Sequence, residues 1–476
     1  MTVVGADITG CDLAAADLHG SLVDPALESM NFLNEIASRY PDAVSFASGR
    51  PSEVSFDVAL IHSYIDAYCR YLTDELGYGQ AELNRALFQY GRTKGIVHDL
   101  IARHLQIDEG ITADPESIVV TVGFQEAMFA VVRALRADER DVLLAVSPTY
   151  VGLTGAARLA DMPVWPVRAG PLGVDLDDLA AQVGRARAAG LRVRACYVMP
   201  DFANPSGVSM TADLRLSLLG AAADLGLLLL EDNPYGLFHA GEHTPTLKAL
   251  DTHRQVVYLG SFAKTGFPGA RVGYAVADQK VAGADGSVGS LADYLSRIKS
   301  MITVNTPAIA QAVIGGKLLL HGCSMTAANQ QETAIYLANM RRLLSGLASR
   351  FPAWAARKAG ADGQAGADGG GGADGQAGAD GRGEVSWNAP SGGFFAVVTL
   401  PFPADDALME YSARQHGVLW TPMSHFYAGD GGLHQARLAC SQLTADQIET
   451  GLDRFAAMVA DRLGRPGERG GPATPG

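Results

Sequence analysis

The segment Ser261–Tyr274, SFAKTGFPGARVGY, contains the residue best suited to covalent chemistry, Lys264. A lone lysine is usually a solvated surface group, but this one follows the apolar run VVYLG and lies among Ser, Phe, Ala and Gly. A lysine in an apolar setting has a lowered pKa and can form a Schiff base with a carbonyl compound. Arg271 precedes another apolar run, where it needs an anionic partner, and phosphate is a natural one.

Three polar signals upstream each follow an apolar run. Asp232 lies in EDNPY, which comes directly after LGLLLL. A carboxylate there is costly unless it is paired, although Asp232 could simply cap the turn before Pro234. Asn204 begins NPSG, which alone is a turn signal. Gly123, Phe124 and Gln125 follow IVVTV and open a helix, so their N–H groups suit a phosphate, or they form an ordinary strand-to-helix turn.

These residues must be positioned by an alternation of strands and helices. Apolar runs typical of buried strands are Ile118–Val122, Val142–Val146, Pro163–Val167, Ala195–Met199, Leu225–Glu231, Val256–Gly260 and Val272–Val276. Helical spacing occurs in Gln125–Leu135, Leu176–Ala189 and Ala212–Ala223. The pattern predicts an α/β protein with a mainly parallel sheet sandwiched by helices, in which ligands bind at the carboxyl ends of the strands.

The second part of the chain predicts a smaller α+β domain. We expect residues 1–60 to be an N-terminal segment that joins the small domain, residues 61–305 to form the large domain, and residues 306–476 to form the small domain. Within the last, Ala359–Gly383 reads AGADGQAGADGGGGADGQAGADGRG. It has almost nothing to bury, so we expect a flexible surface insertion; residues 465–476 should also be disordered.

Composition excludes several classes of protein. The chain has 476 residues, is 48% hydrophobic and carries a net charge of −14, which argues against a nucleic-acid partner. No apolar run is long enough for a membrane span, and no signal peptide is recognisable. The five cysteines form no CxxC pair or Cys/His cluster, which predicts no metal site and a reducing cytoplasm.

In their order along the chain, these motifs resemble the fold-type-I, class I and II aminotransferases, which depend on pyridoxal 5′-phosphate. The phosphate turn, NPSG, Asp-x-x-Tyr and SFAK…PGARVGY all match, and the resemblance covers about residues 31–463. It implies an amino acid and a 2-oxo acid as substrates, and a homodimer with shared active sites.

The resemblance also implies roles in cofactor binding and catalysis. Lys264 would bind the cofactor covalently and move the proton between substrate Cα and cofactor C4′. Asp232 would keep the pyridine nitrogen protonated. Asn204 and Tyr235 would hydrogen-bond the phenolate oxygen of the cofactor, and Tyr150 would stack on its ring. The cofactor phosphate would accept hydrogen bonds from Gly123, Phe124, Gln125, Ser261 and Arg271. Without the family, Tyr150 would be read as a core aromatic residue. Ala263 replaces a second hydroxyl that relatives often have.

Substrate and subunit contacts follow from three further segments. Tyr90 in FQYGRTKG would reach the phosphate of the neighbouring subunit; otherwise it is a core tyrosine. Arg437 in QARLACS would bind the substrate α-carboxylate, aided by Asn204; otherwise it is a surface arginine. Gly49 in FASGRP would line the substrate side, and Arg50 could meet a distal carboxylate or be a solvated loop residue.

The reaction and substrate are narrower questions. SMNFLNEIASRYPDAVSFASGRP, YGRTKGIVHDLIARHL and PDFANPSGVSM are similar to actinomycete aminotransferases that make hydroxyphenylglycine, dihydroxyphenylglycine or phenylglycine for peptide antibiotics. We therefore predict an arylglycine or aromatic aminotransferase. The alternatives are a pyridoxal-phosphate-dependent amino-acid oxidase or oxygenase on the same fold and, more remotely, a regulator with an aminotransferase-like sensor domain.

Overall fold

The computed structural model describes residues 13–24, 27, 29, 35–352 and 384–464. The predicted insertion 359–383 and the predicted disordered tail 465–476 both lie outside the described residues, as do residues 1–12. Within the described ranges, no helix is long and apolar enough to cross a membrane. No group of three or more His, Cys, Asp or Glu in those ranges is placed to hold a metal ion.

An eight-stranded sheet forms the larger layer of the fold. Its strands are β1 Ile118–Val122, β2 Asp141–Ser147, β3 Val164–Gly170, β4 Gly173–Val174, β5 Arg192–Val198, β6 Leu228–Asp232, β7 Val256–Ser261 and β8 Val272–Val276. They lie side by side in the order β1-β8-β7-β6-β5-β2-β3-β4. The pairs β3–β2–β5–β6–β7 are parallel, and β8 is antiparallel to both β1 and β7. This is the predicted α/β class.

The reversal at β8 follows from the length of its connection. Parallel strands need a crossover of a dozen or more residues, usually with a helix. Only residues 262–271 separate β7 from β8, and they form a single helical turn, Phe262–Thr265, and a 3₁₀ turn, Pro268–Ala270. The chain therefore returns beside β7 in the opposite direction, which leaves Lys264 at the carboxyl end of the parallel strands.

Helices cover both faces of this sheet and continue into the second layer. The α-helices of the described residues are Val58–Arg70, Gln80–Phe88, His98–His104, Phe124–Leu135, Val151–Leu159, Leu176–Ala188, Ala212–Leu225, Leu247–Leu250, Phe262–Thr265, Leu291–Ile302, Ala308–Leu320, Met325–Ala328, Gln330–Arg350, Asp406–Tyr411 and Ala445–Arg462. Several predicted strand ends differ from the observed ones by one to three residues, and one predicted strand begins in another element. The apolar run predicted as strand 225–231 begins inside a helix, which ends at Gly226 with a φ of +65°.

A four-stranded sheet forms the smaller layer. Its strand order is Ser386–Trp387, Phe395–Thr399, Gln435–Ala439 and Thr421–Pro422, all antiparallel. Residues from the helices Gln330–Arg350 and Ala445–Arg462 complete its core, together with Ile36, Phe46 and Ala47 from the beginning of the chain. Val44–Ser45 also pairs with Val418–Leu419. We infer from these contacts that the N-terminal segment belongs with this smaller layer.

Candidate active site

A cavity of about 470 Å³ opens at the carboxyl ends of the central strands, between the two sheets. It brings together residues that are far apart in sequence: Gly49, Phe124, Gln125, Tyr150, Asn204, Asp232, Tyr235, Ser261, Lys264, Arg271 and Arg437 all line it. Arg50 and Ala263 lie on its wall as well. Of the remaining sequence-predicted residues, Gly123 contacts the wall through Arg271, whereas Tyr90 is 83% exposed and does not line the cavity.

Lys264 is held by a very short helix. The helix Phe262–Thr265 begins at Ser261, whose hydroxyl accepts a hydrogen bond from the Ala263 N–H at 3.1 Å. From this turn the Lys264 ammonium group reaches across the cavity and donates to the carbonyl oxygen of Gly49 at 2.7 Å. Burial, together with the positive charges of nearby arginines, chiefly Arg437, lowers the pKa of Lys264 to about 8. Such an amine is available as a nucleophile near neutral pH.

Asp232 ends strand β6 and is 2% exposed. Its Oδ2 accepts a hydrogen bond from the hydroxyl group of Tyr197 at 2.5 Å. Burial raises the pKa of Asp232 to about 7, while the Tyr197 hydrogen bond and the positive charge of Lys264 oppose this rise. Sequence reasoning missed Tyr197, although it lies in the run ACYVM that precedes NPSG. The alternation of side chains along a strand could have indicated Tyr197, because it places every second residue on the same face of a sheet.

One end of the cavity presents hydrogen-bond donors. Gly123, with a φ of +72°, precedes the helix Phe124–Leu135, whose first N–H groups have no intrahelical acceptor. A Cβ atom on Gly123 would lie 2.3 Å from the Arg271 guanidinium, so any larger residue would displace that side chain from its present position. Arg271 and Ser261 line the same cavity. A helix N-terminus beside a guanidinium and a hydroxyl group can bind a phosphate.

The opposite wall is built around Arg437, on the small-sheet strand Gln435–Ala439. Its guanidinium donates to Asn204 Oδ1 at 2.7 Å and to the Ala47 carbonyl oxygen at 2.8 Å. It also stacks on two aromatic rings, 4.5 Å from the Phe395 centroid and 4.9 Å from that of Phe426. No carboxylate of the described residues forms an ion pair with Arg437, and burial lowers its pKa to about 10. A buried cation without a counter-ion is a binding site for an anion.

Two tyrosines complete the cavity. Tyr150 caps the helix Val151–Leu159 and lies 6.3 Å from Phe124 between ring centroids. Tyr235 is 3% exposed and packs against Phe394 and Phe395 at 4.9 and 5.6 Å. Burial raises the pKa of both hydroxyl groups, that of Tyr150 to about 12, so both stay protonated at neutral pH and can donate hydrogen bonds.

This donor set fits pyridoxal 5′-phosphate. The group needs an amine for its aldehyde, a carboxylate for its ring nitrogen, donors for its phenolate oxygen and an anion site for its phosphate. Lys264 and Asp232 meet the first two needs. Asn204 Oδ1 accepts from Arg437, and its amide N–H₂ has no acceptor among the described residues. The confined space at Gly123 indicates where the phosphate end would lie.

Comparisons with known proteins agree with this geometry. The family model "Aminotransferase class I and II" matches residues 62–360. The chain is 55% identical to the (S)-3,5-dihydroxyphenylglycine transaminase of Amycolatopsis orientalis, over 95% of this chain and 96% of that protein.

Solved structures with the same fold include two thermophile aminotransferases. The kynurenine aminotransferase of Pyrococcus horikoshii has a TM-score of 0.71 at 24% identity, covering 93% of this chain and 95% of that one. The α-aminoadipate aminotransferase LysN of Thermus thermophilus, solved with N-(5′-phosphopyridoxyl)-L-leucine, has a TM-score of 0.68 at 25% identity, covering 92% and 97%.

Proposed function

Because this chain belongs to the class I and II aminotransferases and uses pyridoxal 5′-phosphate, we propose that it moves an amino group between an arylglycine and its 2-oxo acid. The observation that carries the proposal is the buried guanidinium of Arg437 between Phe395 and Phe426. It offers an anion site for the α-carboxylate and aromatic surface at the same place. An arylglycine has its ring directly on Cα, so its ring must lie close to its carboxylate.

The remaining walls favour the same substrate class. Val151 and Met199 add apolar surface to the cavity. Gly49 approaches the Phe395 ring so closely that a Cβ atom would lie 2.6 Å from it, so a larger residue at this position would displace the ring. The 55% identity to a dihydroxyphenylglycine transaminase supports the proposal independently.

The residues of the cavity divide the work of the reaction. Pyridoxal phosphate, when bound, supplies an aldehyde that takes up the amino group and a ring that withdraws electrons from substrate Cα. Arg437 orients the substrate by two parallel hydrogen bonds to its carboxylate. Lys264 would hold the cofactor and, as a neutral amine, would take the proton from substrate Cα. Asp232 stabilises positive charge on the ring nitrogen, and Asn204 and Tyr235 donate to the phenolate oxygen.

The proposal extends to the assembly and its setting. We propose a cytoplasmic homodimer that acts in the specialised metabolism of peptide antibiotics. Large apolar side chains support a second copy, since Phe88, Tyr90 and Met301 are 80%, 83% and 84% exposed. In such a dimer Tyr90 would enter the partner's cavity. The four described cysteines are free thiols, as a reducing compartment requires.

A substrate panel tests the proposed function. The loaded enzyme is given phenylglycine, 4-hydroxyphenylglycine, 3,5-dihydroxyphenylglycine, phenylalanine or tyrosine, each with 2-oxoglutarate, and the 2-oxo acid and glutamate are quantified. We expect an arylglycine to have the highest kcat/KM. Arg437→Leu should raise KM for that substrate about a hundredfold or more, because it removes a bidentate charge pair. A higher kcat/KM for phenylalanine or tyrosine than for every arylglycine would contradict the proposal.

A further inference from the structure

Tyr197 lies beside Asp232 at the floor of the cavity, yet it does not line the cavity itself. Tyr197 on β5 is the register partner of Leu230 on β6. Asp232 is two residues beyond Leu230, so its side chain is on the same face of the sheet. The Tyr197 hydroxyl group reaches along this face and donates to Asp232 Oδ2 at 2.5 Å.

Tyr197 is the sole hydrogen-bond donor to Asp232 in the part of the chain that the structure describes. A buried carboxylate is costly unless hydrogen bonds or counter-charges compensate it. An O–H donor to an ionised carboxylate at 2.5 to 2.7 Å is a strong, charge-assisted bond. Asp232 Oδ1 receives no hydrogen bond from the described residues, and Asp232 faces the cavity.

The phenol is suited to remain a donor. Tyr197 is 2% exposed, and burial together with the neighbouring charge of Asp232 raises its pKa well above the usual value. Its ring packs in the core of the large sheet with Ala145 and Leu230. The ring therefore has a packing role that the hydroxyl group does not share, and the two can be separated by substitution with phenylalanine.

We propose that Tyr197 is a positioning residue, whose hydroxyl group keeps the Asp232 carboxylate ionised and oriented with Oδ1 toward the ring nitrogen of the bound cofactor. The inference rests on the proposed role of Asp232. It assigns to Tyr197 no contact with cofactor or substrate, since its action passes through the carboxylate.

The variant Tyr197→Phe tests this inference in the full-length enzyme. We expect the dissociation constant of pyridoxal phosphate, measured by equilibrium dialysis, to rise about tenfold. We also expect kcat to fall at least tenfold with KM for the arylglycine within about twofold. A tenfold change corresponds to about 1.4 kcal/mol, the size of a hydrogen bond to a charged group.

Tyr68→Phe is the matched control. Tyr68 is 1% exposed, and its hydroxyl group donates at 3.0 Å to the Ile96 carbonyl oxygen, outside the cavity. Both variants lose the hydrogen bond of a buried tyrosine and should lose comparable thermal stability. Only Tyr197→Phe should weaken cofactor binding. An equal loss of cofactor affinity in both variants would overturn the inference, since it would reflect general destabilisation.

A double-mutant cycle separates the inference from the role on which it rests. In an Asp232→Asn background, Tyr197→Phe should change cofactor affinity by less than about twofold, because the charge that Tyr197 serves is gone. Independent, multiplying losses would overturn the inference. If Asp232→Asn is impaired but Tyr197→Phe is normal, Tyr197 fails and Asp232 stands. If Asp232→Asn binds cofactor and turns over normally, the role proposed for Asp232 fails, and the inference with it.

Discussion

At the scale of single residues, the cavity holds its charged groups in unfavourable states before any ligand arrives. Lys264 is a partly buried cation that donates to a backbone carbonyl group, and Arg437 is a buried cation that donates to an amide and a carbonyl group. Neither forms an ion pair with a carboxylate of the described residues. Ligand anions therefore meet donors whose desolvation has already been completed during folding.

The pH dependence of cofactor capture should report the environment of Lys264. Covalent capture of the cofactor aldehyde needs the neutral amine. Because burial and nearby arginine charges lower its pKa to about 8, the capture rate of the apoprotein should rise about tenfold per pH unit below 8 and level off near that pH. Stopped-flow absorbance would measure this profile.

The control for this experiment is Lys264→Ala, which should bind the cofactor without gaining its mass after borohydride reduction. A rate that keeps rising to pH 10 in the native enzyme, as for a solvated lysine, would show that the amine does not have the proposed environment.

At the scale of elements, short turns position Lys264 and the hydrogen-bond donors of the cavity. Lys264 occupies a one-turn helix between two strands, and the donor end of the cavity is the junction of β1 with the helix Phe124–Leu135. Gly123 at this junction has φ +72° and ψ 173°, a region that only glycine readily adopts. Backbone geometry therefore constrains the site as much as side-chain chemistry does.

Gly123→Ala should weaken cofactor binding at least tenfold, because its methyl group would displace the Arg271 guanidinium. Gly226→Ala is the control: Gly226 has a φ of +65°, ends the helix Ala212–Leu225 and has open space around it. Both should lose unfolding free energy, about 1 kcal/mol for Gly226→Ala. Cofactor dissociation constants and thermal melts distinguish the two effects. Normal affinity in Gly123→Ala would disprove the steric argument.

The sequence predicted most elements and misplaced those whose limits depend on neighbours. The runs Ile118–Val122 and Val272–Val276 match their strands to the residue, since apolar β-branched residues are bounded by clear turns. The apolar run that is continuous with β6 predicts a strand at Leu225, yet the left-handed turn at Gly226 divides the run. Tyr197 was missed because its partner Asp232 is 35 residues away, across a strand pairing that the sequence does not display.

At the scale of the whole molecule, the ends of the predicted insertion can be compared with the structure around them. The rings of Phe351 and Trp387, which precede and follow it, lie 6.3 Å apart between centroids. The two points of the smaller layer between which this segment runs therefore lie close together. A segment between two such neighbouring points can vary in length at little free-energy cost.

Deleting residues 359–383 should therefore leave kcat/KM within about twofold and the melting temperature within a few degrees, because closure free energy depends only weakly on loop length. Activity assays and thermal melts of the deletion and full-length enzymes provide the measurement. An unfolded or monomeric deletion product beside a dimeric parent would show that the segment has a structural role.

Oxygen dependence distinguishes the overall reaction from that of an oxidase on the same fold. An aminotransferase returns the amino group to a 2-oxo acid, so turnover should be equal in air and under nitrogen, with ping-pong kinetics. Glutamate or another amino acid should appear in stoichiometric amount, without peroxide. Turnover that stalls without oxygen and releases ammonia would instead assign the enzyme to the oxidases.

Lys264 reaches the cavity from the end of β7 in the larger sheet, and Arg437 reaches it from a strand of the smaller sheet. A substrate whose carboxylate binds Arg437 and whose amino group joins the cofactor held by the larger layer would become a temporary cross-link between the two layers. An arylglycine should therefore slow proteolysis and raise the melting temperature more than phenylacetate, which has the carboxylate but no amino group with which to join the second layer. In this enzyme, the substrate that undergoes the reaction would also hold the two layers of the fold together.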